Sequence, residues 1–177
     1  MRCVALPVTE ENFEILGQVI KTPDVAVREP QLKGDGFYHH AELAFMDTHG
    51  PVEWGITTFS KRPMITETLE QHFGTPEMLL ALDGPFVMPV APKMLRDGKE
   101  VPDESKIFAI YVPQGVGVLF DEGQYHWAPF PLQEKSSVLV GFQPKTWEDN
   151  IVIRQLSEPV EIVLPVEANT DAEQGVI

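Results

Sequence analysis

Glu70-Gln71-His72-Phe73-Gly74-Thr75-Pro76-Glu77, followed by Gly84, is the stretch from which both the fold and a candidate site can be predicted. In an extended strand, side chains two residues apart point to the same side, so Glu70 and His72 are expected to face the same way. Gly74-Thr75-Pro76 has the composition of a turn, and Glu77 then begins the next strand. We expect Glu77 to meet the first two side chains across the ladder between these strands.

A second, distant stretch supplies another imidazole: Asp121-Glu122-Gly123-Gln124-Tyr125-His126. His126 follows a glycine turn and must reach the first stretch from elsewhere in the fold. Imidazole and carboxylate groups are good ligands for Ni, Zn, Mn, Fe or Cu. The spacing alone leaves two interpretations open, a divalent metal site and an ordinary polar surface.

The charge balance excludes several classes of partner. The chain of 177 residues has 27 acidic and 13 basic residues, a net charge of −14 at pH 7. Such a surface repels phosphate backbones and anionic lipids, so we expect neither a nucleic-acid nor a membrane partner. The single cysteine, Cys3, excludes an intrachain disulfide framework and a cysteine-rich zinc site. Since no apolar run reaches the roughly 18 residues of a membrane span, we expect a cytoplasmic protein.

Prolines and glycines divide the chain into short segments. The 16 prolines argue against long helices. One short helix is predicted from Thr9, which can cap it, to Gly17, which can end it. About ten short β segments separated by Gly, Pro and Asp turns predict an all-β sandwich or barrel. Residues 91–106 are predicted to form an exposed connection, residues 1–164 one domain, and residues 165–177 a flexible acidic tail.

The spacing of the two stretches resembles the two motifs of the cupins. Glu70-x-His72-x4-Glu77-x6-Gly84 is similar to the first cupin motif, with Glu70 where the first histidine usually stands. Gly115-x5-Asp121, continuing to Gly123-x2-His126, is similar to the second motif, with Asp121 where a proline is usual. The resemblance implies a double-stranded β-helix barrel. It also implies metal ligands, which in this chain are His72, Glu77 and His126, with Glu70 as a fourth.

A more extensive resemblance is to the cupin-like ureidoglycolate lyase family, from Leu6 to about Leu132. It rests on the order and spacing of several blocks: Leu6-Pro7 through Gly17-Gln18-Val19-Ile20, Tyr38-His39, Leu69-Glu70-Gln71-His72, and Gly115-Val116-Gly117 through Tyr125-His126-Trp127-Ala128-Pro129. The resemblance implies release of urea from ureidoglycolate, leaving glyoxylate, in purine (allantoin) breakdown. It further implies a homodimer and a divalent metal such as Ni, Zn or Mn. Two departures from the family pattern are Glu77, where a glutamine is usual, and Leu119-Phe120-Asp121-Glu122, where a polar and basic run is usual.

This resemblance suggests a mechanism for an anionic 2-hydroxy-2-ureido acid. A metal on His72, Glu77 and His126 would lower the pKa of the substrate hydroxyl. Glu70 would take the hydroxyl proton, and His39 would protonate the leaving nitrogen. The substrate carboxylate would add negative charge to the site. Candidate cations to balance it are Lys61, Arg62 and Lys106.

Two alternatives come from other functional classes. The chain is also compatible with a non-catalytic or regulatory cupin that holds a small ligand or metal without turnover. A third hypothesis is a cupin lyase or isomerase that acts on another hydroxy acid or a sugar acid. Assays of urea release, with and without added metal, and a substrate panel distinguish the three.

Overall fold

A computed structural model describes residues 1–165. Within them lie sixteen β-strands, two one-turn α-helices and a 3-10 turn at Glu104–Lys106. The helices are α1 (Glu10–Phe13) and α2 (Thr146–Asp149). The strands are β1 (Arg2–Pro7), β2 (Gly17–Ile20), β3 (Leu32–Gly34), β4 (Phe37–His39), β5 (Glu53–Ser60), β6 (Ile65–Gln71), β7 (Glu77–Ala81), β8 (Phe86–Ala91), β9 (Lys93–Arg96), β10 (Lys99–Pro102), β11 (Phe108–Val112), β12 (Gly117–Phe120), β13 (Tyr125–His126), β14 (Phe130–Pro131), β15 (Lys135–Phe142) and β16 (Val152–Val163).

Two large sheets pack against each other. The seven-stranded sheet has the order β11-β1-β16-β6-β13-β8-β14, and β11 also pairs with β8, so the pairings run in a closed ring. In this sheet β1 is parallel to both of its neighbours, and the other pairs are antiparallel. The five-stranded sheet has the order β2-β12-β7-β15-β5 and is wholly antiparallel. The all-β barrel prediction is confirmed, since the ring of paired strands closes on itself.

Buried apolar side chains form two clusters, one on each face of the seven-stranded sheet. The first cluster lies between the two sheets, where Leu79 and Val118 of one sheet meet Met88 and Ile110 of the other. The second lies on the opposite face, around Leu69 and other residues of the ring. Because strand side chains alternate between faces, β8 and β11 contribute to both clusters, for example Met88 and Ile110 to the first and Val87 and Ala109 to the second. The candidate ligands belong to the layer between the sheets.

The predicted N-terminal helix exists but is shorter than expected. Thr9 caps it, because its hydroxyl accepts from the Asn12 backbone while the Asn12 side chain accepts from the Thr9 backbone. The helix ends at Phe13, and Gly17 starts strand β2 instead of only closing the helix. Gly17 has φ 150°, and a Cβ there would lie 1.9 Å from the carbonyl oxygen of Leu119. Only glycine therefore permits this close β2–β12 pairing.

The segment 91–106 is mostly exposed, as predicted, but it is not an irregular connection. β8 extends to Ala91, and β9 and β10 form an antiparallel hairpin in which Arg96 faces Lys99. The two loop residues, Asp97 and Gly98, both have positive φ. Asp-Gly is a strong signal for such a turn, but the charge and the prolines of the segment obscured it. Of the predicted tail, residues 166–177 lie outside the described residues.

Membrane insertion through a helix has no support in residues 1–165. The helices there are single turns, and none has the length or apolar character that a bilayer span requires.

Candidate metal centre

The four predicted ligands come together at one end of the layer between the sheets. Glu70 lies near the end of β6, and the Cα of His126 in β13 is its direct cross-strand partner. His72 follows β6 and points to the same side as Glu70, as the period-two pattern predicts. Glu77 begins β7, which belongs to the other sheet. The predicted contact across a ladder was therefore wrong, since Glu77 meets the other three across the space between the sheets.

Glu77 lies at the centre of the group. Its Oε2 atom lies 2.8 Å from Nε2 of His126 and 3.4 Å from Nε2 of His72. Glu70 is farther out, with Oε1 3.9 Å from Nε2 of His126. Ligand atoms of Glu70, His72 and His126 all fall within 4.8 Å of one another. Two imidazoles and two carboxylates thus converge on one small volume.

The backbone fixes the tautomer of both imidazoles. Nδ1 of His72 lies 2.9 Å from the carbonyl oxygen of Asn150, and Nδ1 of His126 lies 3.2 Å from that of Gln124. A carbonyl only accepts, so each Nδ1 carries the proton and donates it. In the neutral rings, both Nε2 lone pairs are then free and face Glu77. Backbone orientation of this kind is typical of histidines that bind metals.

Burial and mutual charge shift the pKa values of the group. Burial alone would lower the pKa of His72, but the hydrogen bond and charge of Glu77 outweigh it and raise this pKa to about 9. Burial alone would raise the pKa of Glu77, but the charge of His126 and hydrogen bonds from both imidazoles lower it to about 2. Burial raises the pKa of Glu70, and the charge of His126 offsets part of that rise. Without a metal, the charge and hydrogen bond of Glu77 therefore favour the doubly protonated form of His72.

The geometry fits a divalent cation. Oε2 of Glu77 is buried. While both rings are neutral with their protons on Nδ1, neither nearby Nε2 can donate, so among residues 1–165 this oxygen then has no hydrogen-bond donor. Nitrogen and oxygen ligands about 2.1 Å from a metal are separated by about 3.0 Å in an octahedral site and about 3.4 Å in a tetrahedral one. The two separations to Glu77 are close to these values. His72, Glu77 and His126 can therefore hold a metal, with Glu70 as a fourth ligand or as a base beside it.

Neighbouring loops hold the ligands in place. The Asn150 side chain accepts from the Phe73 backbone N–H and donates to the Phe73 carbonyl, while its own carbonyl accepts from His72. Glu122 accepts from the backbone N–H of Gly74. Glu122, one of the departures from the lyase pattern, thus has a structural role in the turn. Its bond to Gly74 links the turn at residues 121–123 to the loop between His72 and Glu77.

A cavity of about 260 Å³ opens above the four ligands. Its walls come mostly from apolar side chains of both sheets and of the segment around α2, including Phe59, Leu79, Val140, Phe142, Trp147 and Ile151. Two surface grooves of about 430 Å³ lie beside α1, near Arg28 and Leu43. They are larger, but none of the four candidate ligands lines them, so we place the chemistry in the smaller cavity.

The wall residues and Asn150 were missed by sequence reasoning. Val140 and Phe142 have the apolar character of ordinary strand residues. Trp147 lies in a single helical turn that the sequence pattern does not predict. Asn150 contacts Phe73 from 77 positions away. No local pattern reports such a contact.

The predicted helper residues lie elsewhere. His39 lies on the exposed hairpin β3–β4 and is not among the cavity-lining residues. Lys61 and Lys106 form surface ion pairs with Glu134 and Asp103. The remaining cation, Arg62, donates to the carbonyl of Ala128 at 2.9 Å and packs over the ring of Phe130 at 4.1 Å. The catalytic role of His39 stays a prediction.

Comparison with known proteins yields structural similarity only. No protein-family model and no curated protein matches the chain. Among solved structures it is similar to a mutant of Bacillus subtilis oxalate decarboxylase (14% identity, TM-score 0.37), to the same enzyme at pH 4.6 (14%, 0.34), and to a structure from work on its Mn(II) centres (14%, 0.34). Each alignment covers 71% of this chain but only 28–29% of the other. This chain thus spans less than a third of the length of those structures, and its fold assignment rests on its own strand pairing.

Proposed function

We propose that this chain is a metal-dependent enzyme that acts on a small molecule bound in the cavity between the sheets. One observation carries the proposal: two imidazoles with free Nε2 atoms and a buried, unsatisfied carboxylate oxygen converge at metal-ligand separations. This centre lies at the base of a cavity open to a ligand. Ni, Zn and Mn all accept such a donor set.

We assign the four residues two roles: three would bind the cation, and the fourth would act as a base. His72, Glu77 and His126 are the most buried and would hold the cation. When bound, the metal would act as a Lewis acid that polarises substrate oxygens. Glu70 is less buried and lies farthest from the common centre, and its raised pKa suits a group that accepts a proton. We assign it the role of general base toward a substrate hydroxyl.

Ureidoglycolate is the specific substrate that the sequence resemblance suggests. In that reaction Glu70 removes the hydroxyl proton, the carbon–nitrogen bond breaks as the carbonyl forms, and the leaving nitrogen takes up a proton to give urea. His39 is the proposed donor of that proton, which requires its hairpin to approach the cavity. Glyoxylate and urea then account for all atoms of the substrate.

A second candidate is a cupin-fold lyase or isomerase acting on a different hydroxy acid or sugar acid, or a protein that binds such a ligand without turnover. The departures from the lyase pattern at Glu77 and Leu119-Phe120-Asp121-Glu122 favour this candidate, whereas the cavity composition weighs against every anionic substrate. No lysine or arginine lines the cavity within the described part of the chain, so an anionic ureido acid would lack a counter-charge there. An activity panel separates the two.

Urea release from ureidoglycolate tests the first candidate directly. Protein loaded with Ni, Zn or Mn should release urea, and Glu70→Gln should lose about 10²-fold or more of the rate while still binding metal. Glu67→Gln is the matched control, because Glu67 lies on the same strand but is exposed. Equal activity of Glu70→Gln and wild type would refute the role of Glu70. No urea release by any metal-loaded form would eliminate ureidoglycolate.

We also propose a homodimer, as the resemblance suggests. β5 is an open edge of the five-stranded sheet, and it exposes Trp54 and Ile56, at 53% and 67% of their surface. Exposed edge strands with apolar side chains favour pairing with another chain. Light scattering should give twice the chain mass of 19.8 kDa, and a Trp54→Lys, Ile56→Lys variant should give the mass of one chain.

A further inference from the structure

We propose that the cavity above the metal centre binds a compact, uncharged molecule with an apolar body and adjacent hydroxyl and carbonyl oxygens at one end. This inference rests on the proposed function, because it takes the four ligands to hold a divalent cation. It keeps the metal centre of that function and replaces the anionic substrates named there by an uncharged class. It also favours an α-hydroxy ketone over an α-hydroxy acid.

The walls supply the first argument. Leu79 and Met88 form the deep part of the cavity and are almost wholly buried, and Phe142 and Trp147 stand nearer the mouth. Apart from the four ligands, Thr57 and the indole of Trp147 are the side chains of the described lining that can form conventional hydrogen bonds. A ligand body surrounded by such walls must be apolar, because polar groups buried there would lose their hydrogen bonds to water without replacement.

A ureido group fits these walls poorly. It carries three N–H donors and a carbonyl. The carboxylates at the base cannot accept from these donors, because they are engaged by the metal and by the other end of the same molecule. Thr57 offers one hydroxyl on the wall. Each donor left unsatisfied in a buried site lowers the affinity by about 5- to 150-fold. The polar part of the ligand is therefore expected at the base of the cavity alone.

Charge supplies the second argument. Glu70 and Glu77 together balance a divalent cation, so the loaded centre has no net charge to offer an anion. Arg62 contacts the lining residue Ala128 but does not itself line the cavity, and Ala128 and Phe130 engage its guanidinium. An anionic ligand would thus be buried without a counter-ion, which is strongly unfavourable. An uncharged ligand avoids this cost.

Lactate and 3-hydroxybutan-2-one test the inference as a matched pair. They have almost the same shape and the same two adjacent oxygens, but the first carries a carboxylate where the second carries a methyl ketone. In water the anion binds divalent ions more strongly, so a preference for the ketone must come from the cavity. Calorimetry and Trp147 fluorescence should show at least about tenfold tighter binding of the ketone. The longer 5-hydroxyoctan-4-one should bind more tightly still, by roughly fourfold for each methylene that the cavity buries.

Two lysine variants locate the effect. Thr57→Lys places a cation on the cavity wall, and the affinity for lactate should then reach or exceed that for the ketone. Thr58→Lys is the control, because the neighbouring side chain on β5 points to the other face of the sheet, toward Ser137. It should leave the preference of the wild type unchanged.

The outcomes separate the inference from the proposed function. Tighter binding of lactate or ureidoglycolate than of either ketone by metal-loaded wild type overturns the inference and leaves the metal centre standing. Absence of ketone binding by metal-loaded protein overturns it as well. Failure to bind any metal refutes the proposed function instead, and the same pair of ligands then still reports the charge preference of the metal-free cavity.

Discussion

Asn150 is the residue whose loss should weaken the metal centre most without removing a ligand. Its side-chain Oδ1 accepts from the Phe73 N–H at 3.1 Å, and its Nδ2 donates to the Phe73 carbonyl. Its own backbone carbonyl accepts from Nδ1 of His72 at 2.9 Å. One residue thus holds the His72–Phe73 segment by three hydrogen bonds and fixes which ring nitrogen faces the metal.

Asn150→Ala removes the two side-chain bonds and leaves the carbonyl in place. Each such bond contributes about 0.5–1.5 kcal/mol, so the free energy of unfolding should fall by about 1–3 kcal/mol. Phe73 is partly exposed, so water can replace part of this, and we expect the lower half of that range. The freed segment should let His72 rotate. Loss of such orienting contacts typically lowers metal affinity by about 10–100-fold.

Competition with a chromophoric chelator measures the affinity, and urea unfolding measures the stability. Asn12→Ala is the matched control, because Asn12 also makes two side-chain bonds to the backbone, at Thr9 and Pro7, far from the cavity. Asn12→Ala should lose similar stability and keep wild-type metal affinity. In the zinc-loaded protein, NMR of the ring nitrogens should show the Nδ1–H tautomer of His72 in wild type and a mixture in Asn150→Ala.

Equal metal affinities of Asn150→Ala and Asn12→Ala would refute this reasoning. They would show that any effect of Asn150 is one of general stability, because both variants lose comparable hydrogen bonds. A normal His72 tautomer in Asn150→Ala would also contradict this reasoning, since the two side-chain hydrogen bonds of Asn150 would then not be needed to orient the ring.

Three further predictions concern pH, packing and the loop that carries the ligands. In the metal-free protein, the pKa of His72 is raised from 6.5 to about 9. The stability that this shift gives the folded protein is fully present below pH 6.5 and is lost as pH rises through 9. The pKa of Glu77 is lowered from 4.5 to about 2. The stability that this shift gives the folded protein is present above pH 4.5 and is lost as pH falls through 2. Urea unfolding should therefore show greatest stability between pH 4.5 and 6.5, and a steady rise from pH 6.5 to 9 would be inconsistent with this pair. Gly17→Ala should destabilise by more than about 1 kcal/mol in urea unfolding, because its Cβ meets the Leu119 carbonyl; unchanged stability would contradict the close β2–β12 pairing. Glu122→Ala should cost about 1 kcal/mol, and no change in unfolding would show that its bond to the loop N–H contributes nothing.

Sequence alone predicted those features that depend on local periodicity. Glu70 and His72 share a face because strand side chains alternate, and the structure confirms this. The capped helix at Thr9 followed from side-chain chemistry within four residues. His126 was placed by the resemblance of its motif, since no local signal pairs it with Glu70.

Features that depend on distant contacts were not predictable in this way. The turn at 74–76 carries the chain from one sheet to the other, and its composition is the same as that of a hairpin turn. The prediction therefore wrongly placed Glu77 beside Glu70 and His72, whereas the structure places it opposite them, on the other sheet. β1 was missed because its two neighbours in the sheet, β11 and β16, come from more than 100 residues later in the chain, so no nearby segment indicates its pairing.

The metal content of the purified protein tests the central claim most directly. Wild type should be incubated with Zn or Ni, dialysed and measured by mass spectrometry, beside a His72→Ala, His126→Ala variant and the exposed control His49→Ala. We predict about one metal ion per chain in wild type and in the control, and almost none in the double variant. A wild type that holds no metal, or a double variant that holds as much as the wild type, would contradict the account.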